Sequence, residues 1–228
     1  MDGIKSFFES FKEFVWDILG FILPGAYCII LMSLSIDKNY WLNVNSVFDG
    51  QYYIYVIIVV SYFMGYAVYG LNIIIQKITR DKSYTKVIEN EVKNRITYQN
   101  SLLILQKKFN DKGIDFDSKK ATLRDLRSLA MGFCPEQDQK VYTFTFRADI
   151  ANHAGTISIL IGSVGLLSIL ANNTGIFQIF IVDKIHFILY VILVLSYFPF
   201  VSMRNYFYKI SLGLPFSLLS TSEINGKK

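Results

Sequence analysis

Charge, histidine, cysteine and proline are all scarce in this chain. Lys, Arg, Asp and Glu make up 18% of its 228 residues, against roughly 25% in soluble globular domains. That deficit argues against an ordinary soluble enzyme, and a hydrophobic content of 52% excludes a disordered chain. Two cysteines, Cys28 and Cys134, exclude a disulfide-rich secreted scaffold, and both are expected to be reduced thiols. Two histidines, His153 and His186, are too few for a metal constellation. No P-loop, G-x-S-x-G or HExxH motif occurs. No catalytic residue, metal or cofactor is therefore expected.

What is present is hydrophobic length. A bilayer core of roughly 30 Å needs about 20 apolar helical residues, and four segments supply them: 14–36, 52–76, 154–171 and 185–203. None alternates as a barrel strand would, and lipid forces backbone groups to pair internally, so the predicted class is an all-α integral membrane protein with four transmembrane helices. Between the spans lie loops 37–51 and 172–184, which carry only Lys38 and Lys184. The other 21 basic residues fall at 1–13, in 77–149 and in the tail 204–228. By the positive-inside rule both termini and residues 77–149 face the cytoplasm. A cleavable leader fits the first span poorly, because Asp17 interrupts it and no A-x-A-like site follows. Asn172-Asn173-Thr174 matches a glycosylation sequon. Ile176–Val182 is apolar but is followed by Asp183-Lys184, so it is read as a short interfacial stretch ahead of span four.

Residues 1–13 place Ile4, Phe7, Phe8 and Phe11 on one helical face, which suits a helix lying in the interface or packing on other helices. Residues 77–149 are expected to form a helical insert. Ile88, Val92, Ile96, Gln99 and Leu103 share one helical row, which predicts a single long amphipathic helix over 83–109. Asp111–Asp117 is a turn by its Gly and Asp content. Thr122 and Asp125 have capping-box spacing ahead of a short helix through Met131.

Several residues stand out within this layout. Pro24-Gly25 and Pro199 interrupt spans, as static kinks or as hinges. Asp17 is the single charge inside the spans; it either snorkels and pairs near the interface or serves a polar pathway, with Asn72 as its nearest intramembrane partner type. Tyr55, Tyr62, Tyr66 and Tyr69 form one stripe, whose hydroxyls should face protein or water rather than lipid tails. Gly155, Ser158, Gly162 and Gly165 form a small-residue face on span three, for packing within the chain or between subunits. Arg147 and His153 make an R-x5-H pattern similar to the R-x4–6-H of HEPN-type ribonucleases; the plain alternative is an arginine anchor and an interfacial histidine. Lys107, Lys108, Lys119, Lys120, Arg124 and Arg127 give the insert a basic character, suited to anionic lipid, to a ribonucleoprotein partner or to a solvated face.

The stretches DILGFILPG, FMGYAVYG, LRSLAM and FRADIANHAGTISILIG, set in a four-span layout, resemble small prokaryotic membrane proteins of antiphage defence, similar to the accessory membrane proteins of type VI-B CRISPR loci. The resemblance implies a non-enzymatic effector of the bacterial inner membrane. It would be homo-oligomeric and would perturb or permeabilise the bilayer when a cytoplasmic protein or ribonucleoprotein engages residues 77–149, with no nucleic-acid specificity of its own. A small channel or transporter subunit for an ion or polar solute, and a scaffold that docks a soluble partner, are the competing expectations.

Overall fold

The computed structural model describes the backbone of residues 2–40, 52–79, 82–118, 120–134, 138–171 and 179–225, and side chains of most of these from residue 18 onward. Among the described residues seven α-helices run in chain order: α1 Asp2–Ser35, α2 Tyr53–Thr79, α3 Lys82–Lys93, α4 Ile96–Asn110, α5 Leu123–Gly132, α6 Asp138–Leu170 and α7 Lys184–Asn225. Four of them, α1, α2, α6 and α7, are long and apolar enough to cross a membrane, with mean hydropathies of 1.8 to 2.0. The chain divides into two compact units. One holds residues 1–78 and 149–203, the other 79–148 and 204–228. Helices α6 and α7 each supply residues to both.

In the first unit, Cys28 and Leu31 of α1, Val68 of α2, Ile157 and Ile161 of α6, and Tyr190 and Leu193 of α7 form the buried cluster. Backbone proximity is as important as these side chains. A β-carbon on Gly25 would run into the Ser61 carbonyl, and one on Gly65 into the Phe21 carbonyl. The two glycines thus let α1 and α2 cross backbone to backbone, a contact type that Cα–H···O interactions reinforce. Pro24 lies inside α1, and Gly25 beside it sits at the packed crossing.

The second unit has an apolar core of its own. Ile88 and Val92 of α3, Tyr98 and Leu105 of α4, and Leu123, Leu126 and Ala130 of α5 pack with Leu212, Phe216 and Leu219 of α7. Two sequence expectations are corrected here. The single helix over 83–109 is two helices, broken at Asn94-Arg95. Arg95 is an extended N-cap for α4, and the Gln99 side-chain amide donates to the Lys93 carbonyl at 3.0 Å, closing the end of α3. The break rotates the buried face. The predicted row continues only through Val92, while Ile96 and Leu103 are 77% and 67% exposed; Tyr98, Ser101 and Leu105 turn inward instead. Likewise, 204–228 is no separate tail. α7 continues past Met203 to Asn225, and its Leu212, Phe216 and Leu219 complete this core. At 1.5 Å per residue a helix of 42 residues is about 63 Å long, roughly twice the bilayer core.

Other local expectations hold. Thr122 accepts from the Asp125 amide at 3.2 Å, and Asp125 accepts from the Thr122 amide at 2.9 Å, a complete capping box. Both hydrogen bonds from Thr122, side chain and backbone, hold the Asp125 carboxyl below its usual range. Gly113 takes the left-handed φ of 71° in the turn that ends α4. Residues 179–183 are non-helical and Phe180 pairs with Ile36 in an isolated bridge, so α7 begins only at Lys184; 172–178, with the sequon, lie outside the described residues.

Candidate functional site: buried polar contacts within the membrane unit

Span two turns one polar face toward span three. Asn72 of α2 and His153 and Thr156 of α6 are buried, at 4–6% exposure. The Thr156 hydroxyl donates to the Asn72 side-chain carbonyl. The Tyr69 ring, one turn before Asn72, packs edge-on against the His153 imidazole at 5.8 Å. Among the described residues, two polar atoms of this group, Asn72 Nδ2 and His153 Nδ1, have no hydrogen-bond partner, and neither has the buried Ser61 hydroxyl of α2. Unsatisfied buried polar atoms of this kind cost roughly 1–3 kcal/mol each. In the membrane unit they mark a place where polarity is retained against stability. Thr156 was not legible as the partner of Asn72 in the sequence, because a lone Thr in an apolar run carries no period of its own.

The tyrosine stripe divides. Phe21 of α1 stacks on Tyr66 at 4.2 Å and meets Tyr62 and Tyr69 edge-on at 5.8 and 5.9 Å. All three touch the Phe21 ring, but only Tyr62 is half-buried; Tyr66 and Tyr69 remain 50% and 44% exposed, so the stripe is only partly turned toward protein. Tyr55 is two-thirds exposed on the unit's surface. The side chain of Asp17 lies outside the described residues; of its expected partner Asn72, the side-chain carbonyl accepts from the Thr156 hydroxyl.

The small-residue face of α6 packs within the chain. A β-carbon on Gly162 would lie 2.9 Å from the Tyr190 carbonyl, one on Gly165 would lie 2.5 Å from the Tyr190 ring, and Gly155 sits against Phe200. Ser158 hydrogen-bonds to the Tyr27 hydroxyl at 2.8 Å. Span four and span one therefore occupy this face. Pro199 lies within an unbroken α7 and is exposed.

The basic residues of the insert are mostly committed to structure inside the second unit. Lys108 pairs with Glu223 at 2.8 Å and Lys120 with Asp117 at 3.4 Å. The Tyr208 hydroxyl hydrogen-bonds to Arg124, which holds that guanidinium's pKa above its ordinary value. Arg127 serves the backbone directly. Pro215 lies inside α7 and has no N–H for the carbonyl four residues earlier, Ser211. Arg127 Nε donates to that carbonyl at 3.1 Å, and its Nη2 reaches the Thr145 hydroxyl at 3.3 Å. Lys107 is exposed, and Lys119 lies outside the described residues. Arg147 and His153 are engaged separately. The Arg147 guanidinium lies over the Phe144 and Phe207 rings at 5.8 and 5.7 Å, while His153 is buried against Tyr69.

Compared with family models, with curated proteins and with solved structures, the chain matches none.

Proposed function

We propose that the protein is a non-enzymatic accessory or effector of the bacterial inner membrane, with both termini and the second unit cytoplasmic, acting in antiphage defence. A cytoplasmic protein or ribonucleoprotein engages the second unit, and the four-helix unit responds by perturbing or permeabilising the bilayer. One observation carries this reading: α6 and α7 each contribute residues to an apolar four-helix unit and to a separately packed helical unit. A binding event that shifts either helix in the second unit therefore acts on the same helix in the first. Self-association remains part of the reading, and its interface then lies away from the Gly155–Gly165 face, which α7 and α1 cover.

A second reading, a channel or transporter subunit for an ion or small polar solute, is favoured by the partnerless Asn72 Nδ2 and His153 Nδ1 within the spans. Membrane potential in expressing cells, with dye release from liposomes holding the purified chain, separates the readings. The effector reading expects depolarisation and dye release that survive Asn72→Leu and depend on an intact second-unit core. Ion flux without dye release, lost in Asn72→Leu and His153→Leu proteins that still insert, supports the channel instead. Membranes that stay tight under every condition, with the partner still captured, overturn both in favour of a docking scaffold.

A further inference from the structure

Several cations of the second unit are held by oxygen. Lys108 pairs with Glu223 and Lys209 with Glu91. Arg124 meets the Tyr208 hydroxyl, and Arg127 donates to the Ser211 carbonyl. Arg147 of α6 meets carbon instead. Its guanidinium lies over the Phe144 ring at 5.8 Å and the Phe207 ring at 5.7 Å. Those rings, from α6 and α7, are 6.2 Å apart, and Tyr206 packs edge-on against Phe207 at 5.4 Å. Among the described residues no carboxylate pairs with Arg147. Asp149 is two residues on, about 200° around the helix from it.

An aromatic ring beneath a guanidinium engages its flat face. The five N–H donors lie in the guanidinium plane and are not used by that contact. Arg147 is exposed, so the two rings hold a donor fork in place while its edge stays open. Such a fork suits an oxyanion that accepts two parallel hydrogen bonds, a carboxylate or a phosphate.

Position along the chain selects between them. Arg147 precedes the apolar run 154–171, and Phe207 follows the run 185–203. The cluster therefore stands where the spans leave the acyl tails. Its composition, an arginine with aromatic rings and a Tyr206 that is 63% exposed, is that of a bilayer interface. The oxyanion present at high density at that depth is the phosphodiester of a phospholipid. Phe144, Arg147, Tyr206 and Phe207 include one cation and no anion, so nothing in the cluster answers the ammonium group of a zwitterionic headgroup. A headgroup of net negative charge is favoured.

We propose that Arg147, held by Phe144 and Phe207, is a docking site for the phosphate of an anionic phospholipid at this end of α6 and α7. The site rests on α6 and α7 being spans and not on the effector role, which stands or falls separately.

The test uses the full chain purified in detergent and native mass spectrometry with added phosphatidylglycerol, phosphatidylcholine or inorganic phosphate. Wild type should retain phosphatidylglycerol in preference to phosphatidylcholine. Arg147→Gln should lower that retention about fivefold, near the worth of one basic residue at an anionic lipid surface, and leave phosphatidylcholine unchanged. Arg147→Lys keeps the charge without the planar fork and should recover only part of the loss. Lys107→Gln, at an exposed lysine outside the cluster, should have no effect. Wild type mixed with phosphatidylglycerol bearing a photoreactive headgroup should be labelled within 138–148 or 204–210, a readout that needs no variant to fold. Equal retention of the two lipids, phosphatidylglycerol retention that survives Arg147→Gln, or labelling confined to other segments overturns the proposal. Displacement of the lipid by excess inorganic phosphate overturns the lipid assignment in favour of a free-phosphate site.

Discussion

The two units of this protein hold their helices together by opposite means. In the membrane unit the decisive contacts are made by what is missing: Gly25 against the Ser61 carbonyl, Gly65 against the Phe21 carbonyl, and Gly162 against the Tyr190 carbonyl. In the second unit they are made by bulk, with Val92, Leu105, Ala130, Phe216 and Leu219 showing no exposed surface. The difference follows from the solvent. Water drives large apolar side chains together. Lipid does not distinguish a leucine on a neighbouring helix from an acyl chain, so association there relies on close approach and on hydrogen bonds.

This contrast can be broken deliberately. The largest effect belongs to the crossing of α1 and α2. Gly25→Leu or Gly65→Leu places a side chain where backbone atoms already sit, and no rotamer avoids the clash. We expect loss of the folded, monodisperse fraction in detergent. Leu126→Ala or Phe216→Ala in the second unit should instead leave a folded chain destabilised by about 2–5 kcal/mol, read from denaturant unfolding. If Gly25→Leu were the milder change, the contrast would be wrong.

A smaller effect sharpens how the second unit treats its polar groups. Because Arg127 replaces the N–H that Pro215 lacks, Arg127→Met should cost about 1–3 kcal/mol, the usual penalty of an orphaned buried acceptor. Restoring the backbone donor with Pro215→Ala should remove much of that cost. A double-mutant cycle therefore reads a coupling between the two positions, and additive effects would show that Arg127 acts in some other way. The smallest effect concerns the capping box. The folded Asp125 carboxyl lies below its unfolded range, so its contribution is present above the unfolded value near 3.9 and is lost as pH falls through the folded one. Asp125→Asn should remove that acid-side slope from the melting curve, with a small loss of stability at neutral pH that vanishes below the folded carboxyl's range.

How far each unit was legible in advance differs in the same way. The four apolar runs were plain from hydropathy, and the Thr122–Asp125 box from spacing alone, because both are properties of contiguous residues. The row from Ile88 to Leu103 misled beyond Val92. Its period is genuinely helical, but a two-residue break at Asn94-Arg95 resets the phase, and neither residue is a strong helix breaker. Arg124 and Arg127 looked like free positive charge. Their partners, Tyr208 and the Ser211 carbonyl, lie about 80 residues further along the chain. The Gly155–Gly165 face was recognisable as a packing surface, but whether it met another helix of the same chain or a second copy was not written in its spacing.

Hydropathy along the chain was enough to establish a helical membrane protein with four candidate spans, because burying some 20 contiguous apolar residues is a local requirement that composition alone satisfies or fails. Three-dimensional packing was needed to reveal that the C-terminal half of α7 completes a second core, that Gly25 meets the Ser61 backbone, and that His186 lies between two acceptors. Each of those is a pairing between residues in separate elements, and a pairing is decided by shape and hydrogen-bond geometry in space, which no single stretch of sequence contains.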